Sequence, residues 1–398
     1  MSSKIIYDIW LLLQLLIGYN LVLPLLLYFA YIISRKPVYK SPQPKAEADY
    51  GIIVTAYEHT YFIPSVVDSI LKLKYSNYLI YIVADKCDIS NLKFDDERVI
   101  ILRPETTLGS NTRSHFYAIN NFRRAHERLT IIDSDNLVDS NYLNELNVLF
   151  NEGFIAVQGI RKAKNLDTTY ACLDAARDMY YHFYDGKALF SLGSSATLAG
   201  SGMAFTTALY KDCLEKLDVT GAGFDKVLQY EIVRRGQRIA FTDKAIVYDE
   251  KTSGSDQLVK QRARWINTWF RYFKFGFTLL GQGISRFERN RILFGITLLR
   301  PPLFIFLILS IFCLFANVFI SLTMVAIWIL SFVCFVTSFL LAIEHAKPDK
   351  AIYRSLIGIP KFIFFQVLSL LKIRSANKIS VATTHVHVHS IDDIKDTL

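Results

Sequence analysis

The sequence predicts a mixed α/β domain held against a membrane by helices at both ends. Three observations predict it. Uncharged stretches long enough to cross a bilayer lie near both termini, short β-rich runs alternate with helical patterns between them, and three of those runs end in acidic residues. With 52% hydrophobic and only 20% charged residues in 398, the chain is neither disordered nor an ordinary soluble domain.

The first element is Ile9 to Ile33, 25 residues without a charge. About 20 suffice to cross a hydrocarbon core of roughly 30 Å. The stretch exceeds the roughly 7 to 15 apolar residues of a cleaved signal peptide and runs into Ser34-Arg35-Lys36, so residues 1–36 read as a retained signal anchor.

Residues 48–285 form the polar domain. Gly51 to Ala56 precedes a helical pattern from Ile63 to Leu73, and a second strand follows at Leu79 to Ala84. Val99 to Leu102 leads into Thr112 to Ala125, Leu129 to Ile132 into Asn141 to Phe150, and Phe154 to Gln158 follows. Such alternation predicts a mostly parallel sheet, whose ligands sit at the carboxyl ends of the strands.

Pro301 to Ile343 is a second uncharged run, of 43 residues. As helix it would measure about 64 Å, twice a bilayer core, so 292–343 is expected to be a hairpin turning at Ser321-Leu322-Thr323. Residues 351–372 carry Arg354, Pro360, Lys361 and Gln366 among apolar residues and read as an interfacial amphipathic helix, with a third C-terminal span as the alternative. Residues 373–398 are a tail in which His385, His387 and His389 alternate, a pattern expected from edge pairing before metal binding.

Basic residues flank all three apolar regions: Arg35, Lys36, Lys40 and Lys45; Arg286, Arg289, Arg291 and Arg300; Lys347, Lys350 and Arg354. By the positive-inside rule the polar domain of this multi-pass protein is then cytoplasmic. Net charge +9 therefore points to anionic lipid headgroups rather than to nucleic acid. Five cysteines without a C-x-x-C pair argue against a disulfide framework and a zinc site.

Neither a G-x-G-x-x-G after the first strand nor a P-loop is present, so phosphate must be held by other means. Asp133-Ser134-Asp135 at a strand end supplies two hard oxygen ligands for a divalent cation that a substrate diphosphate would complete.

These residues resemble the membrane-embedded family 2 glycosyltransferases of GT-A fold, the group of cellulose, hyaluronan and poly-N-acetylglucosamine synthases. Val54 to His59 resembles the family's first strand, with Glu58-His59 where an Asn-Glu pair is usual. Ala84 to Asp88 resembles its second-strand motif, Asp133-x-Asp135 its metal motif, and Leu198 to Phe205 its glycine-rich strand. Gly223-Phe224-Asp225 lies eleven residues before Gly236, the spacing of the family's Thr-Glu-Asp motif, with Phe224 in place of Glu. Gln261-Arg262-Ala263-Arg264-Trp265 matches Q-x-x-R-W in full.

The resemblance implies Asp225 as catalytic base and a Mg²⁺ or Mn²⁺ cofactor on Asp133 and Asp135. A UDP-sugar donor would be bound by Tyr57, Asp85, Asp88, Asp133, Gln261 and Arg264, with Arg262 assisting the leaving group. Trp265, Gly200 and Gly202 would receive a glycan or lipid-linked acceptor. The expected reaction inverts the anomeric centre and serves extracellular polysaccharide synthesis, by polymerisation or by single transfer to a lipid acceptor. Three firm spans are few for an export channel, which implies a partner subunit or an oligomer. A non-catalytic nucleotide- or glycan-binding subunit is the other alternative. A nucleotidyltransferase would need a glycine-rich basic first loop, which Tyr57-Glu58-His59-Thr60 is not.

Overall fold

A computed structural model describes residues 3–34, 47–371 and 390–397. The basic cluster Arg35 to Lys45 and the alternating histidines of the tail lie outside them.

Eight strands make one sheet: β1 Tyr50–Tyr57, β2 Tyr78–Asp85, β3 Val99–Leu102, β4 Arg128–Asp133, β5 Leu137–Val138, β6 Ala156–Ala163, β7 Met203–Thr206 and β8 Ala240–Asp249. Their order is β3-β2-β1-β4-β7-β6-β8-β5. The first half is parallel, as the alternation predicts, and β1 and β2 are almost wholly buried because helices cover both faces. The second half departs from that expectation. β7 runs antiparallel to both β4 and β6, and β5 antiparallel to β8. β7 returns from a long excursion over residues 164–202 and fills the gap between β4 and β6 in the opposite sense, so the sheet is mixed.

Among the described residues three helices are long and apolar enough to cross a membrane: Lys4–Ile33, Leu322–Ala346 and Lys350–Leu370. A further pair, Arg289–Leu299 and Leu303–Val318, is bent by 71°. Helices Leu303–Val318 and Leu322–Ala346 are separated by Phe319-Ile320-Ser321, and the Ser321 hydroxyl caps the second by accepting from the Met324 N–H.

The helices and the sheet domain are pinned together at the π-helical turn His182–Ala188. The Tyr184 hydroxyl donates to the Ser338 carbonyl at 2.8 Å, and Arg300 donates to Asp185 at 2.8 Å and to the Tyr180 hydroxyl at 3.0 Å. These contacts hold the excursion between β6 and β7 against helix Leu322–Ala346 and against the break in the bent pair, where Asp185 and Arg300 line the site.

Candidate active site

Strand register sets the first part of the site. Thr55 of β1 pairs with Asp133 of β4, and Tyr57 pairs with Asp85 of β2, so three acidic strand ends share one edge. Asp133-Ser134-Asp135 makes the turn between β4 and β5. Ser201 holds that turn from the neighbouring loop: its hydroxyl accepts from the Asp133 N–H at 3.1 Å and from the Asn136 side chain at 2.8 Å. Gln158 at β6 organises the same loop, donating to the carbonyls of Ser201 and Gly202 and accepting from the Ala199 N–H. Gly202, at φ +66°, packs where a Cβ would come within 2.9 Å of Val247.

Among the described residues no three His, Cys, Asp or Glu side chains gather into a metal cage made by protein alone. Asp133 and Asp135 are two carboxylates at one strand end, which suits a hard cation that takes its other oxygens from a diphosphate and water. Their electrostatic neighbours are cationic: Arg161 beside Asp133, and Lys164 beside Asp135. Burial pulls the Lys164 ammonium below its usual range despite Asp135 and Glu250.

Asp225 opens the helix Phe224–Arg234 after Gly223, whose φ is +101°. A Cβ at Gly223 would come within 2.6 Å of Thr268 and 2.7 Å of Tyr272, so glycine lets this turn touch the basic helix Ser255–Tyr272. Lys226 lies 3.0 Å from the Asp225 carboxylate and donates to the Leu198 carbonyl. Gln229, one turn on, accepts from the Leu198 N–H at 3.0 Å, which ties the glycine-rich loop to this helix.

The basic helix supplies Gln261, Arg262, Arg264 and Trp265. The Gln261 side chain accepts from the Thr252 hydroxyl at 3.1 Å. Burial lowers the Arg264 guanidinium below its usual range. Arg262 is paired with Asp174, and burial together with nearby Arg177 lowers its guanidinium to about 10. Trp265 is 38% exposed, and the guanidinium carbons of Arg262 and Arg177 lie 4.1 Å and 4.2 Å from its ring centroid. Arginine planes compete for the same π surface a sugar would use.

One buried ionic cluster escaped the sequence reading. Asp174, Arg177 and Asp178 lie at i, i+3 and i+4 on the helix Thr169–Tyr181 and are all buried. Lys251 donates to Asp178 at 2.6 Å and to Asp249 at 3.0 Å, and Arg161 approaches both carboxylates. Burial opposes the ionised form of Asp178, yet Lys251, Arg177 and Arg161 hold its carboxyl well below the usual range. Three charges at helical spacing in an otherwise apolar helix were the available signal.

A cavity of about 600 Å³ collects Asp133, Asp135, Asp225, Gly200, Gln261, Arg264 and Trp265, together with Arg161 and the Asp174 to Asp178 cluster. Tyr57, Asp85, Asp88 and Gly202 are not among its lining residues. Both Asp85 oxygens accept backbone N–H groups, from Leu108 at 2.9 Å and Gly109 at 2.8 Å. Asp88 is exposed and accepts from the Ser90 N–H, and Tyr57 lies beneath the Lys86 ammonium, 5.9 Å from its ring.

The profile of the family described as Glycosyltransferase like family 2 matches residues 47–268. No curated sequence relative matches the chain. Among solved structures, the mannosyltransferase PcManGT from Pyrobaculum calidifontis, in complex with GDP-Man and Mn²⁺, is 16% identical. That alignment covers 91% of this chain and 98% of that one, with a TM-score of 0.58, and shows a shared fold. S. aureus TarS 1-349 in complex with UDP-GlcNAc aligns over 83% of this chain and 90% of its own at 14% identity and a TM-score of 0.42. The family match extends over more than half of the 398 residues and ends within the basic helix: this chain belongs to glycosyltransferase family 2 and has the GT-A fold.

Proposed function

We propose that this glycosyltransferase is an inverting enzyme that moves a sugar from a UDP-sugar to a growing glycan or a lipid-linked acceptor at the cytoplasmic face of the plasma membrane, for extracellular polysaccharide synthesis. The observation that carries the reading is the convergence of Asp133, Asp135, Asp225, Gln261, Arg264 and Trp265 on one cavity, from segments 132 residues apart along the chain (265 − 133).

In this reading Asp225 takes the proton of the attacking acceptor hydroxyl, a role typically worth 10²–10⁴ in rate. Lys226, 3.0 Å away, keeps that carboxylate oriented before attack. Arg264 faces the departing diphosphate from the basic helix, where a partly dry wall strengthens its charge. A divalent cation, when bound by Asp133 and Asp135, would neutralise the diphosphate oxygens. The Ser201 contacts hold those two carboxylates ready.

Donor identity rests on the resemblance to UDP-sugar synthases, whereas the PcManGT complex holds GDP-Man, so both nucleotides belong in the test. Single transfer to a lipid acceptor is the second reading, favoured by the two guanidiniums over Trp265 and by the small number of apolar helices available to line a channel. An export channel would then require a partner subunit or an oligomer.

The test is nucleoside diphosphate release from a panel of UDP- and GDP-sugars by detergent-purified protein, with Mg²⁺ or Mn²⁺ and then with EDTA. One sugar should turn over in a metal-dependent way, and Asp225→Asn should reduce kcat by about 10²–10⁴ while leaving nucleotide binding in place. Nucleotide binding without turnover of any donor would replace this reading with the non-catalytic subunit.

A further inference from the structure

Besides the acidic turn and Arg262, the cavity is lined by Trp269, Phe273, Leu303 and Phe304, and it takes in Arg300, Pro301 and Pro302 at the break where helices Arg289–Leu299 and Leu303–Val318 bend by 71°. A water-soluble glycan gains little from leucine and phenylalanine, whereas a hydrocarbon chain gains with each methylene it buries.

Arg262 supplies the second observation. It is 3% exposed and lines the cavity, yet its Nε and Nη1 find no hydrogen-bond partner. It pairs with Asp174, which Arg177 also reaches while pairing more closely with Asp178. Buried donors left unmade are costly, and guanidinium nitrogens suit the oxygens of a phosphate.

Resting on the transferase reading above, we propose that the acceptor is a lipid-linked saccharide whose phosphate linker meets Arg262 Nε and Nη1, and whose hydrocarbon chain lies along Trp269, Phe273, Leu303 and Phe304 and leaves at the helix bend. The transfer balances simply. The acceptor hydroxyl oxygen bonds to the anomeric carbon as the bond from that carbon to the diphosphate oxygen breaks. The electron pair leaves with the nucleoside diphosphate, and the hydroxyl proton passes to Asp225.

The experiment compares three acceptors bearing one saccharide: a polyisoprenyl diphosphate conjugate, an alkyl glycoside without phosphate, and the sugar phosphate without lipid. Wild-type enzyme should favour the first over either of the others by at least about 100-fold in kcat/KM. Arg262→Gln should collapse the preference for the diphosphate conjugate over the alkyl glycoside by at least about tenfold. Arg262→Lys, which keeps a charge beside Asp174, should retain part of it and guards against a folding artefact. Trp269→Gln should narrow the preference for the conjugate over the lipid-free sugar phosphate. Equal use of the three acceptors by the wild type, or an undiminished ratio in Arg262→Gln, overturns the proposal. Donor hydrolysis in the absence of acceptor separates the two failures: hydrolysis without acceptor preference overturns this proposal alone, and no hydrolysis or transfer with any nucleotide sugar overturns the transferase reading with it.

Discussion

The Asp133 N–H donates to the Ser201 hydroxyl at 3.1 Å, across 68 residues of chain. The same hydroxyl accepts from Asn136, so one side chain of the glycine-rich loop sets both ends of the Asp133-x-Asp135 turn. Ser201→Ala should therefore weaken cation binding about tenfold and raise the donor KM by a similar factor, with the fold intact. Orienting partners of metal-binding carboxylates typically contribute at the lower end of a 10- to 100-fold range when removed. Titration of Mn²⁺ against donor turnover, beside a thermal melt, checks this.

Asp178 is the node of the buried cluster, with Lys251 at 2.6 Å and Arg177 and Arg161 beside it. Asp178→Asn keeps the shape and leaves three buried cations sharing fewer anions. Breaking a buried ionic network in this way costs about 3–5 kcal/mol. The variant should melt several degrees lower in detergent, and Lys251→Met in the same background should recover part of the loss, because one of the orphaned charges is then gone. Recovery in the double variant is the decisive reading.

His115 and His182 give the chain a pH dependence with a definite sign. Burial pushes both imidazoles down to about 3 in the folded protein. The unfolded chain takes up these protons near pH 6.5, so the stability they contribute is complete above that pH and is lost as pH falls toward 3. Between pH 7 and 5 most carboxylates remain ionised in both states, so the histidines dominate that interval. The melting temperature should fall over it, and His115→Asn should flatten the slope. A melt series at constant ionic strength measures both.

Gln14 joins three helices inside their apolar packing. Its side-chain oxygen accepts from Asn317 at 2.5 Å and from the Trp328 indole at 2.8 Å. Gln14→Leu would strand both donors, and interhelical hydrogen bonds in such surroundings are worth about 0.6–2 kcal/mol each. Thermal unfolding in detergent should shift down by a few degrees, with proteolysis between the anchor and the hairpin accelerated. Gln14→Glu, which keeps the acceptor, should lose less.

Much of this architecture was legible because it rests on local pattern. Buried parallel strands need unbroken apolar runs, and β1, β2 and β4 show them. A helix able to cross a bilayer must lack charge for about 20 residues, and Ile9 to Ile33 does. Asp133, Asp135, Asp225 and Q-x-x-R-W were conspicuous because they lie beside strand and helix ends in the order of the family motifs they resemble. Ser201, Gln158 and the Asp174 to Asp178 cluster were harder to see. Serine, glutamine and paired charges are ordinary surface residues in sequence, and only burial turns them into determinants.

By itself, then, the sequence determined strands β1 to β4 and which helices are apolar enough to enter a membrane, since periodicity and charge-free length are properties of the chain alone. Tertiary structure decided where the segments meet. It inserted β7 antiparallel between β4 and β6, which brings Ser201 under Asp133. It turned both Asp85 oxygens toward the Leu108 and Gly109 amides, and it set the Arg177 and Arg262 guanidiniums against the Trp265 ring. The physical reason is common to all three: a buried polar group must find a partner, and which partner is nearest depends on contacts between segments far apart in the chain.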